Sequence, residues 1–150
     1  MGKNEETYSC LKLENQLCFP LYACAKEVVR NYKPFLDELD LTYTQYITMM
    51  VLWDKKEMNV KEIGKCLYLD SGTLTPLLKK LESKGYIERH RSTEDERNLI
   101  IRITKEGEKL KEHAKAVPEK MGGCIALDEK EAKELYTLLY KVLAKFHEED

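Results

Sequence analysis

The cysteine side chains are the groups in this sequence best suited to covalent chemistry. An odd number of them, in a chain without a recognisable signal peptide, argues against a disulfide framework. No two form a Cys-x-x-Cys pair, and the three histidines are far apart in sequence, so we expect neither a metal site nor a cofactor. The five are Cys10, Cys18, Cys24, Cys66 and Cys124.

Cys18 is distinguished by Pro20, two residues later. Apolar residues over 13–32 follow approximate helical spacing, and proline is comfortable only in the first turn of a helix. Cys18 should therefore lie at or just before a helix start, where the dipole favours the nucleophilic thiolate. The alternative is a small buried side chain, the usual role of a free cysteine. Cys24 and Cys66 are interpreted in that way, as packing and core residues.

A second chemistry-bearing stretch is residues 70–85, which the sequence predicts to be one helix. Asp70 or Ser71 can cap its beginning and Gly85 its end. One face is a leucine stripe, and the opposite face is small, hydroxylated and cationic, which suits a DNA major groove. An ordinary surface helix is the alternative. The stripe consists of Leu74, Leu77, Leu78 and Leu81, and the polar face of Gly72, Thr75, Pro76, Lys79 and Ser83.

Composition bounds the class of protein but does not identify a nucleic-acid binder. The 150 residues carry a net charge of -2, with 43% hydrophobic and 35% charged residues, which indicates one helix-rich domain. There is no long apolar run that could cross a membrane. We therefore expect a cytoplasmic protein that does not enter membranes.

Around these residues the sequence predicts a helix-turn-helix followed by a hairpin. Pro34 begins a short helix to Leu39, a buried helix runs from about 43 to 53, and Asn59 caps a helix to Leu67. Strands at 86–91 and 99–103 flank a charged tip at 92–98. Thr104 caps a long helix with a kink or break at Pro118, and Asp128 with Glu131 caps the last helix. Helices outside such a compact winged helix need a partner surface, most simply a second copy.

Four segments of the chain resemble the MarR family of winged-helix regulators, and in particular its organic-hydroperoxide-sensing group, OhrR. They are LENQLCFPLY at 13–22, NYKPFLDELDLTYTQY at 31–46, CLYLDSGTLTPLLKKLESKGY at 66–86 and DERNLIIRIT at 95–104. The resemblance implies a mainly α fold (an α+β winged helix) with a helical dimerisation region from both chain ends. It implies one domain over 1–150: dimerisation helices at about 11–35 and 104–148, and a winged helix-turn-helix at about 43–103 with its wing at 92–98.

The resemblance also implies a sensor. Cys18 matches the peroxide-reactive cysteine of the ENQLCF segment, and Tyr32 and Tyr43 match tyrosines that stabilise its thiolate across a dimer. Tyr22, one helical turn after Cys18, is placed in the same pocket. Cys124 is a candidate resolving cysteine for an intersubunit disulfide. In the alternative, a low-molecular-weight thiol has that role and Cys124 is an incidental cysteine in a loop.

Residues expected to contact double-stranded DNA follow from the same resemblance. The 70–85 helix enters the major groove, and the 92–98 hairpin reaches the minor groove. Asp95 orients Arg97 in the wing, and Arg89 and Arg91 either contact phosphate or only solubilise the strand. From the helix we expect contacts by Ser71, Thr73, Thr75 and Lys79.

These inferences predict a homodimeric repressor that occupies a pseudo-palindromic operator and leaves it when an organic hydroperoxide oxidises Cys18. The controlled gene is expected to confer peroxide resistance. Three alternatives remain open: a MarR-type repressor released by a non-covalent aromatic ligand, a thiol peroxidase, and a winged helix that binds only protein. A Cys18→Ser protein still responds to its inducer under the first, and peroxide turnover with a thiol reductant marks the second.

Overall fold

The computed structural model of the protein describes residues 6–95 and 97–147. Residue 96 of the predicted wing and residue 148 of the predicted dimerisation region lie outside the described residues. Two 3₁₀ turns, Ser9–Leu11 and Leu13–Asn15, come before the first long helix. The elements that follow are α1 (Cys18–Asp37), α2 (Tyr43–Lys55), β1 (Glu57–Asn59), α3 (Val60–Leu67), α4 (Ser71–Ser83), β2 (Ile87–Arg91), β3 (Leu99–Ile103), α5 (Lys105–Ala114), α6 (Val117–Gly122) and α7 (Glu129–Phe146).

Helix α1 ends later than the sequence predicts. It begins at Cys18, as predicted from Pro20, which lies in its first turn, and it continues through Pro34 to Asp37. The prediction of a separate helix from Pro34 is wrong. Proline removes one N–H from the ladder, but Leu36 and Leu39 are buried just beyond it, and burying them outweighs one hydrogen bond.

The helix-turn-helix consists of α3 and α4, as predicted. Asn59 caps α3 and Asp70 caps α4, each accepting a hydrogen bond from the backbone N–H three residues later, at 2.8 Å in both helices. Tyr68 takes the left-handed conformation between them, with φ 56°. The chain packs tightly there, since a Cβ on Gly64 would lie 2.8 Å from the Leu69 carbonyl oxygen.

The hydrophobic core lies between α2 and α4. The predicted leucine stripe of α4 is confirmed, because all four of its side chains are buried. Helix α2 contributes Met49, Leu52 and Trp53 and is capped by Thr42, whose side chain and backbone exchange hydrogen bonds with Gln45. The polar face of α4 is thereby fixed on the outside. The stripe's members Leu74, Leu77, Leu78 and Leu81 are joined in the core by Ile63, Ile87 and Ile101.

The sheet has one more strand than the sequence predicts. Its order is β1-β3-β2, with both pairs antiparallel, so the wing hairpin gains a third strand beside β3. Strand β1 is the short segment Glu57–Asn59, which has no β-branched residue and no alternating pattern. Its pairing with β3, rather than local preference, makes it a strand.

The C-terminal third of the chain divides where a break was predicted. Helix α5 ends at Ala114 and α6 starts at Val117, which places Pro118 in the first turn of α6. Asp128 and Glu131 form the predicted capping box of α7. Of the residues Glu129–Phe146 none is buried, and apolar side chains such as Leu138 and Phe146 face outward.

The start of α5 packs closely against Tyr86, the residue just before β2. Gly107 accepts a 2.9 Å hydrogen bond from the Trp53 indole N–H, and a Cβ built on it would lie 2.3 Å from the Tyr86 carbonyl oxygen. That oxygen already accepts from the Thr104 N–H at 3.1 Å. A side chain at position 107 therefore cannot fit without moving backbone.

We expect Gly107→Ala to lower the free energy of unfolding by about 1–3 kcal/mol, because overpacking here displaces hydrogen-bonded backbone. The matched control is Gly122→Ala on α6, where a Cβ meets nothing within 4 Å. That change should stabilise the protein by up to about 1 kcal/mol, as alanine favours helix. Urea unfolding measures both, and equal effects of the two substitutions contradict the packing described here.

Candidate functional site

Cys18 is the first residue of α1, and its side chain is exposed. Leu17 precedes it as the N-terminal cap and makes no side-chain capping bond, so the first-turn N–H groups are not satisfied by a cap. These N–H groups are available to donate hydrogen bonds to a group placed at the start of the helix. The neighbouring Phe19 and Leu21 are also exposed, which surrounds the thiol with apolar surface.

A cluster of tyrosine rings lies near the other end of α1. Tyr32 and Tyr43 stand with ring centroids 4.9 Å apart, and Tyr46 lies 5.8 Å from Tyr32 and 6.5 Å from Tyr43. Burial raises the pKa of all three phenols above the ordinary value, and the neighbouring tyrosines add to the pKa increase at Tyr32 and Tyr46. The hydroxyls therefore remain protonated and able to donate hydrogen bonds.

Cys18 and this tyrosine cluster cannot meet within one protomer. Cys18 and Tyr32 are fourteen positions apart on α1, which at the usual rise is about 21 Å. Tyr22 is the exception among the predicted sensor residues, since it lies one turn from Cys18 and is exposed. A thiolate site containing Cys18, Tyr32 and Tyr43 requires two copies of the chain.

Cys124 lies at the same end of α1 as the tyrosines. Helix α6 packs there, with the Lys120 ammonium 5.6 Å from the Phe35 ring centroid and 3.8 Å from the Glu38 carboxylate. The Cys124 N–H donates to the Met121 carbonyl at 2.9 Å, so the thiol follows α6 directly. Along α1, position 35 is about 26 Å from position 18, which separates Cys124 from the Cys18 of its own protomer.

The remaining cysteines give two corrections. All five cysteines lie in the described part of the chain, where they are free and exposed. The expectation that Cys66 belongs to the core is wrong, because the inward positions of α3 are taken by Ile63 and its neighbours. Cys24 is likewise exposed on α1, rather than packed within the protomer.

The polar face of α4 is displayed as the sequence predicts. Ser71, Thr73, Thr75 and Lys79 are all exposed. The Thr75 hydroxyl donates to the Ser71 carbonyl at 2.8 Å, which leaves its oxygen free to accept. The Thr73 N–H donates to the Asp70 carboxylate, and that bond lowers the pKa of Asp70.

The wing places its arginines in different surroundings. Arg89 donates to the Glu82 carboxylate at 2.9 Å, a bond that lowers the pKa of Glu82, and so joins β2 to the end of α4. Arg91 and Arg97 are exposed at the two sides of the hairpin tip. Asp95 accepts a 3.0 Å hydrogen bond from the backbone N–H of Arg97, so it shapes the turn that carries this arginine.

Sequence reasoning missed three features of these sites. Tyr46 lies in the stretch predicted as a buried helix, and no sequence signal distinguishes its phenol as a member of the tyrosine cluster. The Arg89–Glu82 pair joins residues on different elements, which no local pattern signals. Gln45 is buried and receives Lys84 from the end of α4, a contact between residues 39 positions apart.

Two further findings concern what the described residues contain. Within 6–95 and 97–147, no three His, Cys, Asp or Glu side chains are grouped so as to hold a metal ion. Over the same residues, no helix has both the length and the apolar character needed to cross a membrane.

Comparison with known proteins agrees with this arrangement. A family profile described as transcriptional regulator SarA/Rot matches residues 30–114. The organic hydroperoxide resistance transcriptional regulator of Bacillus subtilis (strain 168) is 44% identical over 146 residues, covering 97% of this chain and 99% of the relative.

Solved structures of AbfR, a protein of Staphylococcus epidermidis, are also similar. Reduced AbfR bound to DNA is 34% identical with a TM-score of 0.75, covering 97% of this chain and 99% of that one. Disulfide-formed AbfR is 33% identical with a TM-score of 0.64, covering 93% and 98%.

A helix-turn-helix with a three-stranded wing and a displayed polar helix face define a winged-helix regulator. The similarity to the Bacillus regulator extends over nearly the whole of both chains. The chain belongs to the MarR family of winged-helix transcriptional regulators, in its organic-hydroperoxide-sensing OhrR group. It is a redox-sensing transcriptional repressor.

The tyrosine cluster gives an expected pH dependence. Because burial raises the pKa of Tyr32, Tyr43 and Tyr46 in the folded protein, the stability linked to them is present below about pH 10. It is lost as the pH rises through the folded pKa values, since the unfolded chain then binds fewer protons. We expect tyrosinate absorbance to reveal a late-ionising class that shrinks in Tyr46→Phe and disappears in denaturant. A class of unchanged size in Tyr46→Phe contradicts the cluster.

Proposed function

We propose that the chain works as a homodimer that holds a pseudo-palindromic double-stranded DNA operator while Cys18 is reduced, and releases it when an organic hydroperoxide oxidises Cys18. The observation that carries the proposal is the separation along α1. Cys18 lies at one end, and Tyr32, Tyr43 and Cys124 lie at the other. Two copies with antiparallel α1 helices bring the thiol of each to the tyrosines of the other.

Exposed apolar surface supports a second copy as the partner. The residues beside Cys18, notably Leu17 and Phe19, are exposed, and so is the apolar stripe of α7. A soluble chain rarely leaves contiguous surface of this kind uncovered. Both ends of the chain therefore contribute to the proposed interface, over about 11–35 and 104–148.

The sensing step is a two-electron oxidation of sulfur. The Cys18 thiolate attacks one oxygen of the hydroperoxide, an S–O bond forms, and the O–O bond breaks. The leaving alkoxide takes up a proton and departs as an alcohol, and Cys18 is left as a sulfenic acid. Tyr32 and Tyr43 of one copy, with Tyr22 beside the sulfur, stabilise the thiolate by donating hydrogen bonds. Apolar side chains around Cys18 favour organic hydroperoxides, in agreement with the name of the Bacillus relative.

Cys124 completes the reaction as a resolving cysteine. Its thiol attacks the Cys18 sulfenic acid of the other copy, so that an S–S bond forms and water leaves. The AbfR chain that has been solved with a disulfide supports such a step in a similar protein. A low-molecular-weight thiol can form the mixed disulfide instead, and the variants below separate the two routes.

DNA binding is assigned to the polar face of α4 and to the wing. Ser71, Thr73, Thr75 and Lys79 face the major groove, and Arg97, on the turn shaped by Asp95, reaches the minor groove. Arg91 is placed to contact phosphate, and Arg89 holds the wing to α4 through Glu82. The DNA-bound AbfR structure supports this use of the fold. A disulfide that joins the two copies alters the distance between their α4 helices, which must be near one DNA turn of about 34 Å.

A cleft between α2 and α5 favours a second candidate, release by a small aromatic acid. It has a volume of about 550 Å³ and is open to solvent, with Tyr46, Met50 and Trp53 on one side and Lys111 and Lys115 on the other. Aromatic rings and ammonium groups together suit an aromatic carboxylate. Release of a Cys18→Ser protein by such a compound, without peroxide, establishes this candidate in place of the first.

The disulfide route is tested by mixing two variants. We expect cumene hydroperoxide to release wild-type protein from a DNA duplex selected from a random pool, and to leave Cys18→Ser bound. Neither Cys18→Ser nor Cys124→Ser alone should form a covalent dimer on a non-reducing gel. Subunits of the two exchanged into heterodimers should form one, because each heterodimer keeps one Cys18 facing one Cys124.

Two results contradict the proposal. Wild-type DNA binding that survives oxidation rules out sensing by Cys18. Heterodimers that form no covalent dimer, while Cys124→Ser is released reversibly like wild type, assign the resolving role to a small thiol.

Lys79 gives the sharpest test of the DNA-binding face. We expect Lys79→Met to weaken DNA binding and to reduce the slope of log affinity against log salt by about 0.9, the value for one lost phosphate contact. Lys55→Met on α2 removes the same charge from an exposed side chain whose ammonium lies 3.6 Å from the Asp54 carboxylate. It serves as the control and should leave the salt slope unchanged. Equal slopes for the two variants contradict the proposed interface.

A further inference from the structure

Lys84, the residue that ends α4, is held differently from the other lysines of this helix. Lys79 and Lys80 are exposed, whereas the Lys84 side chain is only 26% exposed. Its ammonium donates to the Asp40 backbone carbonyl and, at 3.3 Å, to the Gln45 side-chain oxygen. The Asp40 carboxylate lies 3.6 Å away. The end of the DNA-reading helix is thus bound to the turn that joins α1 to α2.

That turn is itself ordered by the residues that receive Lys84. The buried Gln45 side-chain oxygen also accepts the Thr42 N–H at 3.0 Å, and the Gln45 N–H donates to the Thr42 hydroxyl at 3.3 Å. Asp40 takes a left-handed backbone with φ 54°, uncommon for a residue with a side chain. Both acceptors of the ammonium are therefore fixed by the fold rather than by chance proximity.

The same turn carries one of the two tyrosines assigned to the thiolate. Tyr43 lies between Thr42 and Gln45 at the start of α2, and its ring packs on Tyr32 of α1. Tyr43 is the first residue of α2, so a change in the hydrogen-bond partner of its hydroxyl would shift the beginning of that helix. Lys84 is in direct contact with that segment, and it is the C-terminal cap of α4.

We propose that Lys84 is a positioning residue that transmits the redox state of Cys18 to the recognition helix, by binding the end of α4 to the turn beside Tyr43. The inference rests on the proposed function and adds the route between its sensor and its DNA-binding face. In the reduced protein Tyr43 bonds the thiolate of the other copy, and Asp40 and Gln45 hold Lys84 in place. Oxidation removes the thiolate, the start of α2 shifts, and α4 follows because Lys84 connects them.

The ammonium also has a structural role, because it lies where the C-terminal ends of α1 and α4 converge and their dipoles favour a cation. A purely structural residue affects stability, whereas a coupling residue affects the ratio between reduced and oxidised DNA affinities. The test therefore measures that ratio rather than stability.

We expect Lys84→Met to be oxidised at Cys18 by cumene hydroperoxide at the wild-type rate, as followed by mass spectrometry, and to bind the selected duplex in its reduced form about as well as wild type. Its ratio of reduced to oxidised affinity should fall by at least about fivefold, the lower end of usual coupling strengths. Lys84→Arg keeps a cation and its donors and should restore much of the ratio. Lys55→Met is the charge-matched control and should keep the full ratio.

A ratio for Lys84→Met within twofold of wild type overturns the proposal while leaving the proposed function intact. Wild-type protein that stays on DNA after oxidation overturns both.

A second measurement uses wild-type protein alone, in case Lys84→Met does not fold. Oxidation should speed hydrogen exchange at the Lys84, Gly85 and Tyr86 amides together with those of Thr42–Gln45. A change confined to the latter group overturns the proposal.

Discussion

The length of α1 is the constraint on which the rest of the molecule depends. A helix of twenty residues is a rod of about 30 Å, and groups at its two ends cannot approach one another. The thiol is at one end, and the phenols and Cys124 are at the other. Chemistry that needs all of them is therefore possible only between molecules, so under the proposed function sensing and assembly are not separable properties of this chain.

The recognition helix, α4, is fixed to the remainder of the protomer through its buried leucine face and through its C-terminal end. Its leucines are buried against α2, so that rotation about its own axis would expose apolar side chains. Its end is connected through Lys84 to the α1–α2 turn, and Glu82 connects it to the wing through Arg89. The Thr104 hydroxyl donates to the Gly85 carbonyl at 2.6 Å and adds α5 to the same junction. The helix, the wing and the α1–α2 turn are thus joined by direct hydrogen bonds.

The elements that could be predicted from sequence are those whose signals are local. Asp70, Asn59, Thr104 and Asp128 are side chains that cap helices within three residues, and the leucine spacing of α4 identifies its buried face. Pro20 likewise indicated the helix start at Cys18.

The features that could not be predicted depend on contacts between distant residues. Strand β1 exists because β3 pairs with it, and α1 continues through Pro34 because Leu36 and Leu39 reach the core. For the candidate site, the identities of Cys18, Tyr32 and Tyr43 came from a resemblance, whereas Tyr46, Gln45 and Lys84 became visible only when the fold brought them together. Cys66 illustrates the opposite error. A free cysteine usually prefers to be buried, but position 66 lies on the exposed side of α3.

Helix α7 has a consequence for the amount of protein a cell must keep. None of its eighteen residues is buried in its own protomer, so in the proposed homodimer much of the free energy that holds them would come from association. Stability then follows mass action, rising with concentration as for any obligate dimer. Dilution does not yield a pool of intact, silent subunits but chains that lose structure and become substrates for proteases. The cellular concentration of such a regulator therefore has a lower limit set by folding, independent of how tightly it binds DNA.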